Sequence, residues 1–97
     1  MEVKIQSIHF DIAERLETHI NKKAERLARH HSAISRLDVT LKVVKPESAL
    51  NKEAIIKAVI PQDEIIATKV ADTFEEAVDN CLDAIEKQLE KNKNKIE

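Results

Sequence analysis

Few side chains in this sequence have the type and spacing for bond-making chemistry. Cys81 is the only thiol, His30 and His31 are adjacent, and acids gather at Glu75, Glu76, Asp79 and Asp83. A reactive thiol needs a cation or base beside it, whereas Cys81 falls in an apolar helical stripe and reads as a small core residue. Adjacent histidines diverge on a helix and no third ligand stands nearby, so a solvated helix end is expected and no metal. The four acids occupy the first half of a helix, where negative charge offsets the macrodipole. Glycine is absent altogether. Phosphate-cradling loops, dinucleotide fingerprints and nucleophile elbows all depend on it, because only a residue without Cβ lets the backbone approach so closely. No enzyme, no cofactor and no small-molecule substrate are expected.

The cations are better organised. Net charge is −2, but the distribution matters more than the sum. On a helical wheel of about 100° per residue, Arg15, Lys22, Arg26 and Arg29 fall within roughly 60° of one another, with His19 at their border. Glu14, Glu17 and Glu25 lie on the opposite flank of the apolar stripe. Further on, Lys87, Lys91 and Lys95 recur every fourth residue, while Glu75, Asp79, Asp83, Glu86 and Glu90 fill a separate sector. Each helix therefore has three sectors: apolar, acidic and basic. Two readings fit this pattern. Charged faces of amphipathic helices commonly just solvate them and form i,i+4 pairs. Alternatively, like charges in line mark a surface for a polyanion, since Lys87, Lys91 and Lys95 repel one another unless an anion sits against them. With aromatic residues at 2%, base stacking is not the expected means of binding.

The elements that must position these rows follow from periodicity. Glu2 to Ser7 alternates as a strand, and Asp11 with Glu14 predicts the start of a helix ending near His31. That helix carries the stripe Ile12, Leu16, Ile20 and Leu27, with Ala13 and Ala24 filling in. Leu37 to Val43, Ala54 to Ile60 and Ile65 to Val70 read as strands, with a loop over 45–52 and a turn at Pro61-Gln62-Asp63. Thr73 and Glu76 form a capping box for a last helix with the stripe Phe74, Val78, Cys81, Ile85, Leu89 and Ile96. The order βαβββα predicts an α+β sandwich: a four-stranded sheet with both helices on one face, similar to double-stranded RNA-binding domains. At 97 residues one domain spanning 1–97 is expected, with a basic helix end at 87–97. Apolar residues at 42% and charged residues at 35% suit a soluble globular chain. No apolar run is long enough for a bilayer and no signal peptide is evident, so no membrane is expected. A lone cysteine agrees with a cytoplasmic location.

The stretches Leu37–Val43 and Ala71–Lys95, the latter with Ala77-Val78-Asp79 and then Lys87-Gln88-Leu89 and spaced lysines, resemble the short bacterial hibernation-promoting factors and ribosome-associated inhibitors. The resemblance covers almost the whole chain in the same element order. It implies a domain that binds the small ribosomal subunit between head and body, covers the channel for messenger and transfer RNA, and silences idle ribosomes. It places the RNA-binding positions on Lys23, Arg26 and Arg29 in the first helix and on Lys87, Lys91, Lys93 and Lys95 in the second. Arg15 and Lys22 join them from the wheel. This chain has Glu75 where the family usually carries an aromatic, and Ala84 where it usually carries a lysine. Long members of the family continue into a dimerising domain; ending at Glu97, this chain is expected to depend on another factor for any pairing of ribosomes. Sequences of this kind are also labelled sigma-factor modulators, and that alternative makes the acidic face of the last helix the active surface, docking a basic protein patch.

Overall fold

The computed structural model describes residues 1–45 and 49–95, with side chains described as far as residue 91. Alternation, broken in the last strand at exposed Lys69, builds the four strands among the described residues: β1 (Glu2–Ser7), β2 (Arg36–Val43), β3 (Lys52–Ile60) and β4 (Asp63–Ala71). In β2 the odd residues Leu37, Val39 and Leu41 are buried, and in β3 the even residues Ala54, Ile56 and Ala58 take that role. Side chains of successive strand residues point to opposite faces, so one face of the sheet becomes apolar. The strands pair in the order β1-β2-β3-β4, β1 parallel to β2 and the other pairs antiparallel. A parallel pair requires a crossover, and α1 (Glu14–His30) supplies it. The last helix, α2 (Phe74–Lys95), follows β4 and packs on β3 and β4. The architecture is the α+β sandwich expected from the order of elements.

The core joins one stripe from each helix to the apolar sheet face. Leu16, Ile20, Ala24 and Leu27 come from α1; Ala77, Val78, Cys81, Leu82, Ile85 and Leu89 come from α2. Burying each large aliphatic among these contributes about 1.5–3 kcal/mol. Ile96, expected to extend the α2 stripe, lies outside the described residues.

The start of α1 differs from expectation. The N-cap is Ala13, extended and without a side-chain cap bond, so Asp11 and the proposed box with Glu14 play no part. Local hydrogen bonding explains this: Ser7 Oγ donates to the Phe10 carbonyl at 2.6 Å, and His9 takes a left-handed φ of 65°. That turn sets Phe10 face to face with Phe74, ring centroids 5.0 Å apart, and delays the helix. Ala13 is consequently exposed, and Ile12 only borders the core. The cap of α2 is as expected, the Glu76 N–H donating to Thr73 Oγ1 at 3.1 Å.

Lacking glycine, the chain turns with ordinary residues in the left-handed region: His9, Lys45, Leu50 and Gln62. Each costs on the order of 1 kcal/mol relative to a glycine. Pro61 and Gln62 alone link β3 to β4, because Ile60 already pairs with Asp63.

Candidate nucleic-acid interface

α1 and α2 lie side by side on the sheet and run in the same direction, since β4 is parallel to β2 and each helix runs back along its strand. Among the described residues, their outer surface is a broad face on which cations of both rows stand together. Arg15, Lys22, Arg26 and Arg29 are exposed along α1, and Lys87 and Lys91 are exposed along α2. The apolar stripe forces this: with Leu16, Ile20 and Leu27 facing inward, residues half a turn away must face solvent. Lys93 and Lys95, also expected to bind, have side chains outside the described residues.

The two rows are kept apart. The flank of α2 that meets α1 is its acidic one, so α1 cations face α2 carboxylates across the groove between the helices. Lys23, Arg26 and His30 form one wall, Asp79, Asp83 and Glu86 the other, and Leu27 and Leu82 the floor. His19 Nε2 donates to Asp79 Oδ1 at 2.9 Å, and Lys23 Nζ lies 4.0 Å from the same oxygen. Further along, His31 Nε2 is 3.8 Å from Glu86 Oε2. Of the family-implied positions, Lys23 is thus half-buried and shares a carboxylate, whereas Arg26 and Arg29 stand clear on the rim.

Lys87 and Lys91 lie roughly 80–140° further round α2 than Asp79 and Glu86 at a helical 100° per residue. They sit on the flank turned away from α1. Glu17 and Glu25 occupy the matching outer flank of α1, Glu25 beside Val3 of β1. Across the helical face the order is acidic, basic, acidic, basic. Parallel bands of this kind suit two separated phosphate runs better than one broad polyanion, because every cation row is bordered by acids that repel a misplaced phosphate. Ala84 is half-buried against the core at the edge of the α2 lysine band.

Sequence reasoning missed the interhelical contact. The acids of α2 appeared sufficiently explained by the helix dipole, yet Asp79 bonds to His19, 60 residues away. The signal was present in the two opposed charged flanks on each helix. Which flanks meet is decided by the handedness of the crossover, and the wheels alone do not contain it.

Cys81 is no nucleophile. Its thiol donates to the carbonyls of Ala54 at 3.2 Å and Ala67 at 3.6 Å, and burial pushes its pKa up to about 11. No group of three or more His, Cys, Asp or Glu among the described residues is arranged to hold a metal. No helix among them is long and apolar enough to cross a membrane.

Fold and surface together define a small α+β module with a pair of charge-banded helices on one sheet face. The chain belongs to the sigma 54 modulation protein / S30EA ribosomal protein family, whose model matches residues 3–97; it is not an enzyme. It is 28% identical over 95 residues to a ribosome hibernation promoting factor of Pseudomonas putida strain KT2440, covering 98% of this chain and 89% of that relative. Its fold is shared by solved structures, among them the following two. A ribosomal subunit interface protein from Coxiella burnetii superposes with a TM-score of 0.86 at 24% identity, covering 97% of this chain and 99% of that one. The N-terminal domain of Thermus thermophilus Protein Y gives 0.78 at 20% identity, covering 94% and 98%.

Proposed function

We propose that this chain is a cytoplasmic ribosome hibernation factor of one domain that binds small-subunit ribosomal RNA and occupies the channel used by messenger and transfer RNA. Family membership and the hibernation-factor relative support the ribosome as partner. The observation that carries the RNA contact is the placement of Arg15, Lys22, Arg26 and Arg29 on one helix and Lys87 and Lys91 on its parallel neighbour, all exposed on one face. Lys23 and, in the tail beyond, Lys93 and Lys95 complete the proposed set. Helices packed side by side stand about 8–10 Å apart, so two cation rows can follow two phosphate runs. Neutralised phosphates release counterions, which makes such binding steeply dependent on salt. The protein acts by occupying space: while it is bound, no tRNA enters.

Modulation of a sigma factor through the acidic face of α2 is less well supported by the geometry. Asp79 and Glu86 are turned into the groove toward α1 and engaged there by His19, Lys23 and His31. A docking surface for a basic protein needs those carboxylates free.

Pelleting of small subunits at low and high salt tests the proposal. Co-sedimentation is expected at low salt, to weaken sharply at high salt, and to be mutually exclusive with initiator tRNA. Simultaneous occupancy by both refutes occlusion; absence of pelleting at either salt refutes ribosome binding.

A further inference from the structure

The sheet has two free edges, and they are protected very differently. On β1 the side chains of the open sheet face are Glu2, Lys4 and Gln6, all exposed and all polar. Charge on an edge strand is the usual guard against pairing with another chain. On β4 the same face carries Glu64, Ile66, Thr68 and Val70, of which Ile66 is 57% and Val70 42% exposed. Exposed aliphatics on a nine-residue edge strand are what a pairing edge looks like.

The backbone agrees. The β3–β4 hairpin closes on two residues, with Ile60 opposite Asp63. Hydrogen-bonded pairs then alternate from that position, so β3 takes the backbone groups of Asp63, Ile65, Ala67, Lys69 and Ala71. Those of Glu64, Ile66, Thr68 and Val70 point outward, and no described strand pairs with them. Asp63 Oδ1 accepts the Glu64 N–H at 2.8 Å, while the three donors beyond it face open solvent.

We propose that β4 is a self-association edge, pairing antiparallel with β4 of a second copy about a two-fold axis at Ile66. Complementarity selects both the occupant and the register. Centred on Ile66, the pairing sets Ile66 opposite its own copy, Glu64 opposite Thr68, and the exposed Asp63 opposite the exposed Lys69, twice by symmetry. Centred on Thr68, it sets Ile66 opposite Val70 but opposes Glu64 to Asp72, acid to acid, twice by symmetry. Centred on Ala67, it puts Ile66 against Thr68 and Val70 against Glu64. The charges decide between the two registers that join aliphatic to aliphatic: only the first also sets acid against base, and opposite charges across strands stabilise a pair where like charges oppose it. The result is an eight-stranded sheet with both helical layers on one side. Lys87 and Lys91 of the two copies flank the axis, so the association is weak and shows at high protein concentration. It does not depend on the ribosomal reading.

Sedimentation velocity over a concentration series, combined with cysteine cross-linking, tests it. The sedimentation coefficient is expected to rise with concentration in the unaltered chain and to stay monomeric in Ile66→Lys. Under mild oxidation Ile66→Cys is expected to give a disulfide-linked dimer, since hydrogen-bonded antiparallel pairs bring Cα atoms to about 5.5 Å. Val70→Cys is not, because its symmetry mate lies about 27 Å away along the strand at 3.4 Å per residue. Buried Cys81 adds no background. Lys69→Asp should lose association, and Lys69→Asp with Asp63→Lys should recover it. A monomer at every concentration, equal cross-linking of the two cysteine variants, or no recovery in the charge swap overturns the proposal.

Discussion

The two helices are built to the same plan and are used differently. Each carries an apolar stripe with an acidic flank on one side and cations on the other, and each packs on the same sheet face. In α1 the cations lean toward the neighbouring helix, so Lys23 and His19 share Asp79 and Arg26 rims the groove. In α2 the lysines lean away, and no described carboxylate lies within ion-pair distance of Lys87 or Lys91. Identical amphipathic patterns thus produce one band of partly committed cations and one band of free ones. Docking of the helices, and not their composition, sets how available each charge is.

The largest effect expected from breaking this comparison is on binding. Arg26→Glu combined with Lys91→Glu should abolish co-sedimentation with small subunits, because each reversal replaces a phosphate contact with repulsion. The single reversals should differ in stability. Lys91→Glu changes an exposed, unpaired position and should shift the unfolding free energy by less than about 0.5 kcal/mol. Arg26→Glu adds an acid to a wall facing Asp79, Asp83 and Glu86 and should cost more, up to about 1 kcal/mol, as read by urea denaturation. Equal stability of the two variants would erase the distinction between the helices.

Core truncations should treat the helices alike. Ile20 and Ile85 are both fully buried, so Ile20→Ala and Ile85→Ala should each lose about 2–5 kcal/mol. A much smaller loss for one identifies the helix that packs less tightly.

Cys81 gives the fold a pH dependence rooted in α2. Burial raises its thiol from the ordinary 9.0 to about 11, so the folded chain keeps a proton that the unfolded chain releases. Stability from this source is complete below pH 9 and falls as pH rises toward 11, with a slope of up to ~1.4 kcal/mol per pH unit. Denaturation of Cys81→Ala across that range should show a shallower slope.

Asp79→Asn probes the shared carboxylate. Its side chain and that of His19 are partly exposed, so the loss should not exceed about 1 kcal/mol. Lys23 should be released toward the ligand, seen as tighter binding of small subunits at low salt. The smallest change is expected from Ala84→Lys. Laying its stem along the core edge, the new lysine should lengthen the free band of α2 and steepen the salt dependence by roughly 0.7–0.9 per added phosphate contact. An unchanged slope places residue 84 outside the contact.

Much of this molecule was legible without coordinates. Alternation in Leu37–Val43 and 3.6-residue spacing in Leu16–Leu27 follow from side-chain direction within one element, and both elements formed where expected. The Thr73 side-chain cap of α2 was equally local. The start of α1 was not, because Asp11 competes with a turn anchored at Ser7 and with the stacking of Phe10 on Phe74, a residue from the far end of the chain.

Charge followed the same division. That each helix has a basic and an acidic flank is a property of spacing, visible in the order Arg15, Lys22, Arg26, Arg29 and again in Lys87, Lys91. That the acidic flank of α2 faces the basic flank of α1, leaving the α2 lysines on the outside, was decided only when the β1-α1-β2 crossover put α1 over one half of the sheet and α2 over the other. A wheel records angles about one axis. Which angle meets a neighbour depends on contacts between residues 60 apart, such as His19 and Asp79, and those arise from packing apolar stripes on a shared sheet.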